Sequence, residues 1–427
     1  MSFPTVPIGV AFEVRNGATP SSSESTFWDG DIPWVGPADL GKLENRHVEI
    51  GARSITKQGY ESCGTQMVPA GSIILSTRAP IGHIAIAAQP MCFNQGCRGL
   101  VPRKIIDTDF AYWALVANTA NLQAAGQGTT FVELARDKLR AERISLPDLP
   151  TQKAIVDFLD RETARIDLLI EKKQRFREMA NERWQAALNH VVFPHSPDWE
   201  RLPDGWRKVQ LKYLTDPKRP IMYGIVLPGP NMEEGPMIVK GGDVKPGRLH
   251  PDRLCRTTHE IEASYVRSRL KSGDLVISIR GGIGDIEIVP PEIDGANLTQ
   301  DAARIAPRQG IDREWLRYAL LSSAVFHPLE SRSLGAAVRG INIFDLKRVF
   351  IPEPPPAQQT EIARKLASME NRLTELRELV KTHADRLREF RAALITAAVS
   401  GQIDPETWSR RGTTDRRLDQ IEAEMGA

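Results

Sequence analysis

Basic side chains are concentrated in the second half of the sequence, where they could bind a polyanion. Residues 201–352 hold 23 Lys and Arg against 18 Asp and Glu, a net charge of +5, whereas residues 1–150 hold 13 against 14, a net of −1. Lysine and arginine bind phosphate oxygens, and arginine can also donate two hydrogen bonds to a guanine edge. The candidate DNA contacts here are Lys240, Lys245 and Arg248. A solvated charged face would explain these charges equally well.

Arg78 and Arg280 are sharper candidates because each lies at the same place in one of two related segments. GSIILSTRAPIGHIAIA begins at residue 71 and GDLVISIRGGIGDIEIV at residue 273, an offset of 202. Each predicts a strand–turn–strand pattern, with strands over 73–76 and 83–87 in the first copy. Two roles stay open for these arginines, one at a ligand surface and one bracing the turn.

A glycine-flanked polar loop supplies further candidates. Gln127, Thr129 and Thr130 could reach base edges or phosphates, although an ordinary polar turn is the competing interpretation. Arg339 completes the set of candidate DNA-binding residues.

Catalytic signatures are missing from the sequence. Gly36–Lys42 reads GPADLGK, but Leu43 stands where a phosphate-binding loop needs Ser or Thr for magnesium. RGGIGD at 280–285 lies in a strand–turn–strand pattern and does not open a helix. Cys92 and Cys97 have no second pair of ligands, so buried thiols are favoured over a metal site. We expect no catalytic residue, metal or cofactor in this chain.

The elements that must position these residues are two long helices. In the stretch 359–394 the apolar residues are separated by alternating steps of four and three, which is typical of a coiled coil and leaves His383 at one seam position. The predicted seam residues of this helix are Ile362, Leu366, Met369, Leu373, Leu376, Val380, Leu387, Phe390 and Leu394.

The partner of this helix is predicted to lie in the same chain. Positions such as Gln359, Ile362 and Leu366 match Gln152, Ile155 and Leu159 at a constant offset of 207, which indicates a tandem duplication. The predicted seam of the first helix comprises Ile155, Leu159, Ile166, Leu169 and Phe176, and it is less clean because Glu162 and Lys173 fall within it. We expect the two helices to pack as an antiparallel coiled coil.

Length and composition set outer bounds. The chain has 427 residues, a net charge of +2 and four cysteines without paired metal spacing. These features, with no signal-peptide pattern or apolar span, predict reduced thiols, no membrane contact and a cytoplasmic location.

The predicted fold class is α+β, with two β-rich domains, two long helices and a pseudo-two-fold internal repeat. The predicted boundaries are 1–146 for the first β-rich domain, 147–194 for the first helix, 195–352 for the second β-rich domain, 353–404 for the second helix and 405–427 for a tail. Two other classes compete with DNA binding: a coiled-coil scaffold carrying protein-binding modules, and a self-contained enzyme, which the missing motifs disfavour.

The chain resembles the specificity subunits of type I restriction–modification enzymes. The motifs that carry the resemblance are Gly17-x-Thr19-Pro20 with GDIPWV and Asp39-Leu40, the repeated G-x-(L/I)-(V/I)-(L/I)-S-x-R-x-x-I-G framework, IPEPPPAQQTEIARKL, and FRAALITAAVSGQID. The first half departs from the pattern, since it lacks the opening found at Leu202–Trp206 and its proline segment, ISLPDLPTQ, is poorer in proline.

The resemblance implies a non-catalytic subunit with two target-recognition domains that read a bipartite, asymmetric sequence in double-stranded DNA. It implies that the paired helices act as a spacer between the two half-sites. The implied partners are two methyltransferase (modification) subunits and restriction/translocase subunits, which would bind S-adenosylmethionine, ATP and Mg and carry out adenine methylation and cleavage.

Overall fold

A computed structural model of the chain describes residues 3–126, 132–194, 199, 201–333 and 340–408. The chain divides into two compact units. Unit 1 comprises residues 1–173 with 381–427, and unit 2 comprises residues 174–380. Each unit thus contains a β-rich part together with a segment of both long helices. The boundaries of the separate recognition and spacer domains remain predictions from the sequence.

Unit 1 is built on a five-stranded sheet backed by helices. Its strand order is Phe12–Asn16, Cys97–Pro102, Ile73–Thr77, Ile81–Ala87 and His47–Val48. The predicted strand–turn–strand segment forms an antiparallel pair, in which Ile73 is opposite Ile86 and Leu75 is opposite Ile84. Apolar side chains from both faces of the central strand are fully buried, as expected for a sheet covered on both sides.

The remaining elements of unit 1 complete its core. A second sheet contains Arg53–Ile55, Trp28–Val35 and Cys92–Phe93, and a third pairs Thr5–Pro7 with Arg143–Ser145. The helical segments are Ile8–Ala11, Ser25–Phe27, Pro37–Leu40, Lys57–Ser62, Thr108–Ala117, Thr119–Ala124 and Arg136–Ala141.

Unit 2 has a similar but smaller set of sheets. A four-stranded sheet runs in the order Met222–Tyr223, Ala302–Ile305, Leu275–Ser278 and Ile286–Ile288. A second sheet contains Cys255–Arg256, Met237–Val239 and Asn297–Leu298, and a third pairs Arg207–Gln210 with Phe350–Glu353. The helical segments are Leu211–Tyr213, Gly241–Asp243, His259–Ala263, Val266–Ser268, Pro291–Ile293, Arg313–Leu321, Ser323–Ser333 and Ile343–Arg348.

The two long helices are Leu149–Val192 and Pro356–Ser400. Within unit 1 they are antiparallel. Asp167 contacts Arg391 at 2.9 Å, and Lys173 lies 3.4 Å from His383, so residue numbers increase along the first helix while those of their contacts in the second helix decrease. Within unit 2, Arg377 donates to Asn181 at 2.9 Å. The predicted mixed fold with paired long helices is therefore confirmed. The internal repeat remains a prediction from the sequence.

The predicted seam of the second helix lies against the cores of the two units. Its nine apolar residues are all buried or half-buried: Ile362, Leu366, Met369, Leu373, Leu376, Val380, Leu387, Phe390 and Leu394. In the first helix Ile155, Leu159, Ile166 and Leu169 are no more than 1% exposed. Glu162, which interrupts this seam, is 7% exposed, and its carboxylate accepts a hydrogen bond from Arg161 at 2.9 Å.

Phe176 corrects the sequence prediction, because this predicted seam residue is 49% exposed. Beyond Lys173 the buried positions of the first helix are Trp184, Leu188 and Val192 rather than the continuation of the heptad series. An α-helix with 3.6 residues per turn drifts about 20° per heptad relative to a 3.5-residue repeat. After several turns this drift rotates Phe176 out of the seam and brings Trp184 in.

Two buried glutamines join the β-rich part of each unit to the start of a long helix. Gln152 accepts a hydrogen bond from the Asp107 amide at 2.8 Å and donates to the carbonyls of Ile105 and Pro147 at 3.0 and 2.8 Å. Gln359 likewise accepts from the Asp312 amide and donates to the Pro354 carbonyl, both at 2.9 Å. Asp107 and Asp312 cap the helices that begin at Thr108 and Arg313. Each glutamine thus fixes a helix cap against a long helix.

A helix carboxylate anchors each β-rich part as well. In unit 1, Arg46 forms two hydrogen bonds to Asp160, at 2.6 and 2.8 Å, and Trp113 donates to the same carboxylate at 2.9 Å. In unit 2, Arg317 forms two hydrogen bonds to Glu370, at 2.9 and 3.0 Å, and the Tyr318 hydroxyl donates at 2.8 Å. Planar guanidinium–carboxylate pairs of this kind restrict orientation as well as distance.

In the part of the chain that the structure describes, none of the helices combines the length and the apolar character that crossing a membrane requires.

Candidate nucleic-acid interface

Several loops of unit 1 meet near the end of strand Trp28–Val35, and we call them the first loop cluster. It comprises the turn 36–39, the turn 94–96, Arg78 and Glu133. Hydrogen bonds between backbones hold the loops together: Asn94 donates to Val35 at 2.9 Å, and Thr77 donates to Gly96 at 2.8 Å. The Asp39 carboxylate accepts from the Gly36 amide at 2.8 Å and so closes the first turn. The cluster is a surface of short turns on a rigid sheet.

Unit 2 contains a second loop cluster with the same backbone connections. It comprises the turn 240–243, the turn 299–301, Arg280 and Gly340. Thr299 donates to Val239 at 3.0 Å, and Ile279 donates to Asp301 at 2.9 Å. The Asp243 carboxylate accepts from the Lys240 amide at 2.9 Å, as Asp39 does in unit 1. The two clusters therefore share a frame while presenting different side chains.

Close packing explains the small residues in the second cluster. A Cβ atom added to Gly241 would lie 2.6 Å from the Arg280 carbonyl oxygen and 3.0 Å from that of Asp301. No larger side chain fits there without moving the backbone. Gly241 thus brings the turn 240–243 directly against the turn that carries Arg280.

Arg78 lies in the first loop cluster. It is the one candidate DNA-binding residue of unit 1 within the described part of the chain. Its guanidinium is 3.9 Å from the Glu133 carboxylate, and the two residues also form a backbone bridge. The predicted contacts Gln127, Thr129 and Thr130 lie outside the described residues.

Of the candidate DNA-binding residues in unit 2 that the structure describes, three are exposed and one is half-buried. Lys245, Arg248 and Arg280 are exposed. Arg248 donates to the Gly242 carbonyl at 3.2 Å, so it lies beside the turn 240–243. Lys240 is half-buried, and its ammonium donates to the Cys255 thiol at 3.0 Å. Arg339 lies outside the described residues.

Other basic residues of unit 2 stabilise the fold. Arg269 forms two hydrogen bonds to Glu262, at 2.6 and 2.5 Å, and Asn297 donates to the same buried carboxylate at 3.0 Å. The hydrogen bond from Arg269 lowers the pKa of Glu262. Arg269 is therefore engaged within the fold and is not available to a ligand.

Exposed basic side chains lie beside the second loop cluster. Burial raises the pKa of Asp285, and Lys245 nearby opposes the rise. Lys245 therefore lies close to the turn that follows Arg280. With Arg248, these side chains form an exposed cationic group on short turns, which suits contact with phosphates or with guanine edges.

Sequence reasoning missed two glutamines. Gln95 is the exposed middle residue of the turn 94–96, and it hydrogen-bonds the Thr19 hydroxyl. Gln300 occupies the same place in the turn 299–301. Glutamine can both donate to and accept from adenine. The triplets NQG and TQD were the available signal, but their offset of 205 differs from the 202 and 207 of the flanking matches.

The cysteines behave as buried thiols where the sequence favoured that interpretation. Cys92 and Cys97 are fully buried, and burial raises the pKa of each thiol to about 12. Within the described ranges there is no group of three or more His, Cys, Asp or Glu side chains that could hold a metal ion.

Comparison with known proteins agrees with this architecture. Residues 3–176 match the family described as the type I restriction modification DNA specificity domain. Over 169 residues the chain is 35% identical to the type I restriction enzyme MjaIX specificity subunit of Methanocaldococcus jannaschii, covering 39% of this chain and 38% of that one. Over 364 residues it is 25% identical to the EcoBI specificity subunit of Escherichia coli, covering 80% and 77% of the two chains. Residues 3–176 therefore carry this family's domain, and the chain as a whole is similar to type I restriction–modification specificity subunits.

Two solved structures share the fold of this chain. One comes from a study titled as the structural basis of complex assembly and conformational transition of the type I R-M system; it covers 94% of this chain and 98% of its own, with a TM-score of 0.73 and 21% identity. The HsdS subunit from Thermoanaerobacter tengcongensis covers 94% and 97%, with a TM-score of 0.53 and 21% identity. These likenesses show the fold. The matched segment of the archaeal relative is 38% of that protein, well below its full length.

Proposed function

We propose that this specificity subunit recognises a bipartite, asymmetric sequence in double-stranded DNA, using one loop cluster for each half. The observation that carries the proposal is the pair of loop clusters, which have the same backbone hydrogen bonds but different exposed side chains. A shared frame gives both clusters the same way of approaching a duplex. Different side chains then give each cluster its own base preference.

Each loop cluster contains groups for both parts of DNA recognition. Contacts to phosphates position a protein on the duplex, whereas contacts to base edges select the sequence. Lys245 and Arg248 would bind the backbone near the second cluster. Arg280 and Gln300 would reach base edges there, and Arg78 and Gln95 would do so near the first.

The chemistry would belong to partner subunits. Two methyltransferase (modification) subunits would bind S-adenosylmethionine and transfer a methyl group to an adenine that they flip out of the duplex. Restriction/translocase subunits would bind ATP and Mg and cut the DNA. The specificity subunit itself would perform no catalytic step, and the complex would act on DNA in the cytoplasm.

A domain exchange tests the proposal. Residues 201–340 would be replaced by the corresponding segment of a relative with a different target, and adenine methylation would be mapped across the genome of cells that carry the matching modification subunits. We expect one half of the methylated sequence to change and the other half to persist. Loss of specific adenine methylation with every correctly folded chimera, or a change in both halves, would contradict the proposal.

A further inference from the structure

The two loop clusters differ at one matched position that carries charge. In unit 1, the Leu134 amide donates to the Thr77 carbonyl at 2.9 Å; in unit 2, the Ile341 amide donates to the Ile279 carbonyl at the same distance. The residue before Leu134 is Glu133, and the residue before Ile341 is Gly340. A carboxylate in the first cluster thus corresponds to a glycine in the second.

Glu133 lies between Arg78 of the first cluster and Arg98, which is next to the cluster. Its carboxylate oxygens are 3.9 Å from the Arg78 guanidinium and 3.8 Å from that of Arg98. The side chains of Arg78 and Glu133 are 36% and 39% exposed, whereas that of Arg98 is 14% exposed. Ion pairs this long and this exposed to solvent are weak, so an arriving phosphate can compete with the carboxylate.

The Arg98 side chain is held close to the first cluster by hydrogen bonds to backbone carbonyls. It donates to the carbonyls of Gln95 and Cys97, both at 2.9 Å, and so lies under the turn 94–96. Among the described residues, Glu133 is the carboxylate within ion-pair distance of this buried guanidinium. Glu133 therefore offsets positive charge at the place where Gln95 is exposed.

In the described part of the second cluster, Arg280 has no such offset. A Cβ atom added to Gly340 would lie 3.2 Å from Arg280 Cγ, so the arginine side chain passes directly over the glycine. Within the described ranges no carboxylate lies within ion-pair distance of the Arg280 guanidinium, whose side chain is exposed. Among the residues that the structure describes, the matched arginine of unit 2 thus has no carboxylate that competes with an incoming anion.

We propose that Glu133 determines specificity in unit 1 by limiting the attraction of the first loop cluster to DNA phosphates. The inference rests on the proposed DNA recognition and deepens it. Glu133 neutralises Arg78 and Arg98 and repels phosphates, so binding by this cluster depends on base-edge contacts. The second cluster, with Gly340, supplies more of the sequence-independent attraction. The two halves of the target would then contribute unequally to the salt dependence of binding.

The test measures binding of the full-length chain to a random-sequence duplex of about two helical turns by fluorescence anisotropy across a salt series. Glu133→Gln should tighten this non-specific binding and steepen the slope of log K against log[salt] by about 0.9 for each additional phosphate that is neutralised. The gain in affinity of Glu133→Gln over the unmodified chain should then fall about threefold per additional phosphate between about 50 and 200 mM salt. Gly340→Glu should do the reverse in unit 2, making the slope shallower by about 0.9.

Matched variants separate the inference from general charge effects. Glu178→Gln makes the same change of charge at an exposed position on the first long helix, and Gly340→Gln adds the same bulk without charge. Slopes for Glu133→Gln and Gly340→Glu that equal those of their controls would overturn the inference while leaving DNA recognition intact. No duplex binding by the unmodified chain at low salt would instead overturn the proposed function, and the inference with it. Circular dichroism shows whether each variant is folded; if Glu133→Gln unfolds, the comparison of Gly340→Glu with Gly340→Gln decides.

Discussion

The buried glutamines give the most quantitative prediction. Replacing Gln152 by Leu removes an acceptor for the Asp107 amide and two donors for the Ile105 and Pro147 carbonyls. Leu has a similar volume, so the change is mainly one of hydrogen bonding. Gln152 is fully buried, so water cannot replace the lost partners without entering the core.

The magnitude follows from the number of hydrogen bonds. Each one contributes about 1 kcal/mol net, and an unsatisfied buried partner costs about 1–3 kcal/mol. Three of them predict a loss of about 3 kcal/mol for Gln152→Leu, which is roughly a 150-fold change in the folding equilibrium of unit 1. Gln359→Leu breaks two hydrogen bonds, to the Asp312 amide and the Pro354 carbonyl, and should cost about 2 kcal/mol in unit 2.

Urea denaturation followed by circular dichroism measures both losses, and fluorescence reports on the tryptophans separately. The control is Gln174→Leu, the same substitution at an exposed position of the first long helix. We expect the control to lie within about 0.5 kcal/mol of the unmodified chain. A cost for Gln152→Leu no larger than that of the control would refute the view that this glutamine fixes the helix cap. A cost for Gln359→Leu well above that of Gln152→Leu would refute the count of hydrogen bonds.

Three further predictions concern the helices. Burial and nearby Lys173 lower the pKa of His383, so the unfolded chain binds more protons than the folded chain and the free energy of unfolding rises with pH. This stability should be lost as the pH falls from about 7 through the unfolded value near 6.5 towards the lower pKa of the folded state. His383→Leu should flatten this pH dependence in urea titrations. Glu370→Gln leaves the Arg317 guanidinium, whose side chain is 11% exposed, without its carboxylate partner. It should lower the free energy of unfolding by about 3 kcal/mol. In a double-mutant cycle, adding Arg317→Met should recover a large part of this loss. Phe176→Ser should cost about 1 kcal/mol or less, because half of the phenylalanine is already exposed and full burial of such a side chain contributes about 1.5–3 kcal/mol. A loss of about 2 kcal/mol or more would place it back in the seam.

The sequence predicts the regular elements of this chain well because their periodicity is set by burial. The alternating steps of four and three in the second long helix coincide with a stripe that contains no exposed residue. The strand–turn–strand segments also form as expected, and Ile73–Thr77 is one residue longer than the predicted strand. Phe176 shows the limit of this reasoning, because a strict heptad ignores the gradual rotation of a 3.6-residue helix.

The binding residues are harder to predict because charge alone does not reveal a side chain's partner. Lys240 and Arg269 belong to the same basic stretch as Arg248, yet Lys240 donates to a thiol and Arg269 pairs with a buried carboxylate. These contacts join residues that are close only in the fold. Gln95 and Gln300 were missed for a different reason, since insertions between the matched segments shift their spacing.

Unit 1 is assembled from two separate stretches of sequence, and this has a consequence for synthesis of the protein. Residues 174–380 form a continuous stretch, whereas unit 1 requires residues from both ends of the chain. The Phe3 amide donates to the Ser400 carbonyl at 3.2 Å, and Trp408 packs edge-on against Phe158 with 6.0 Å between ring centroids. A nascent chain leaving the ribosome therefore completes unit 2 before the last helix segment is available to unit 1. Premature termination would leave apolar residues such as Ile166 uncovered, so truncated products become substrates for chaperones and proteases.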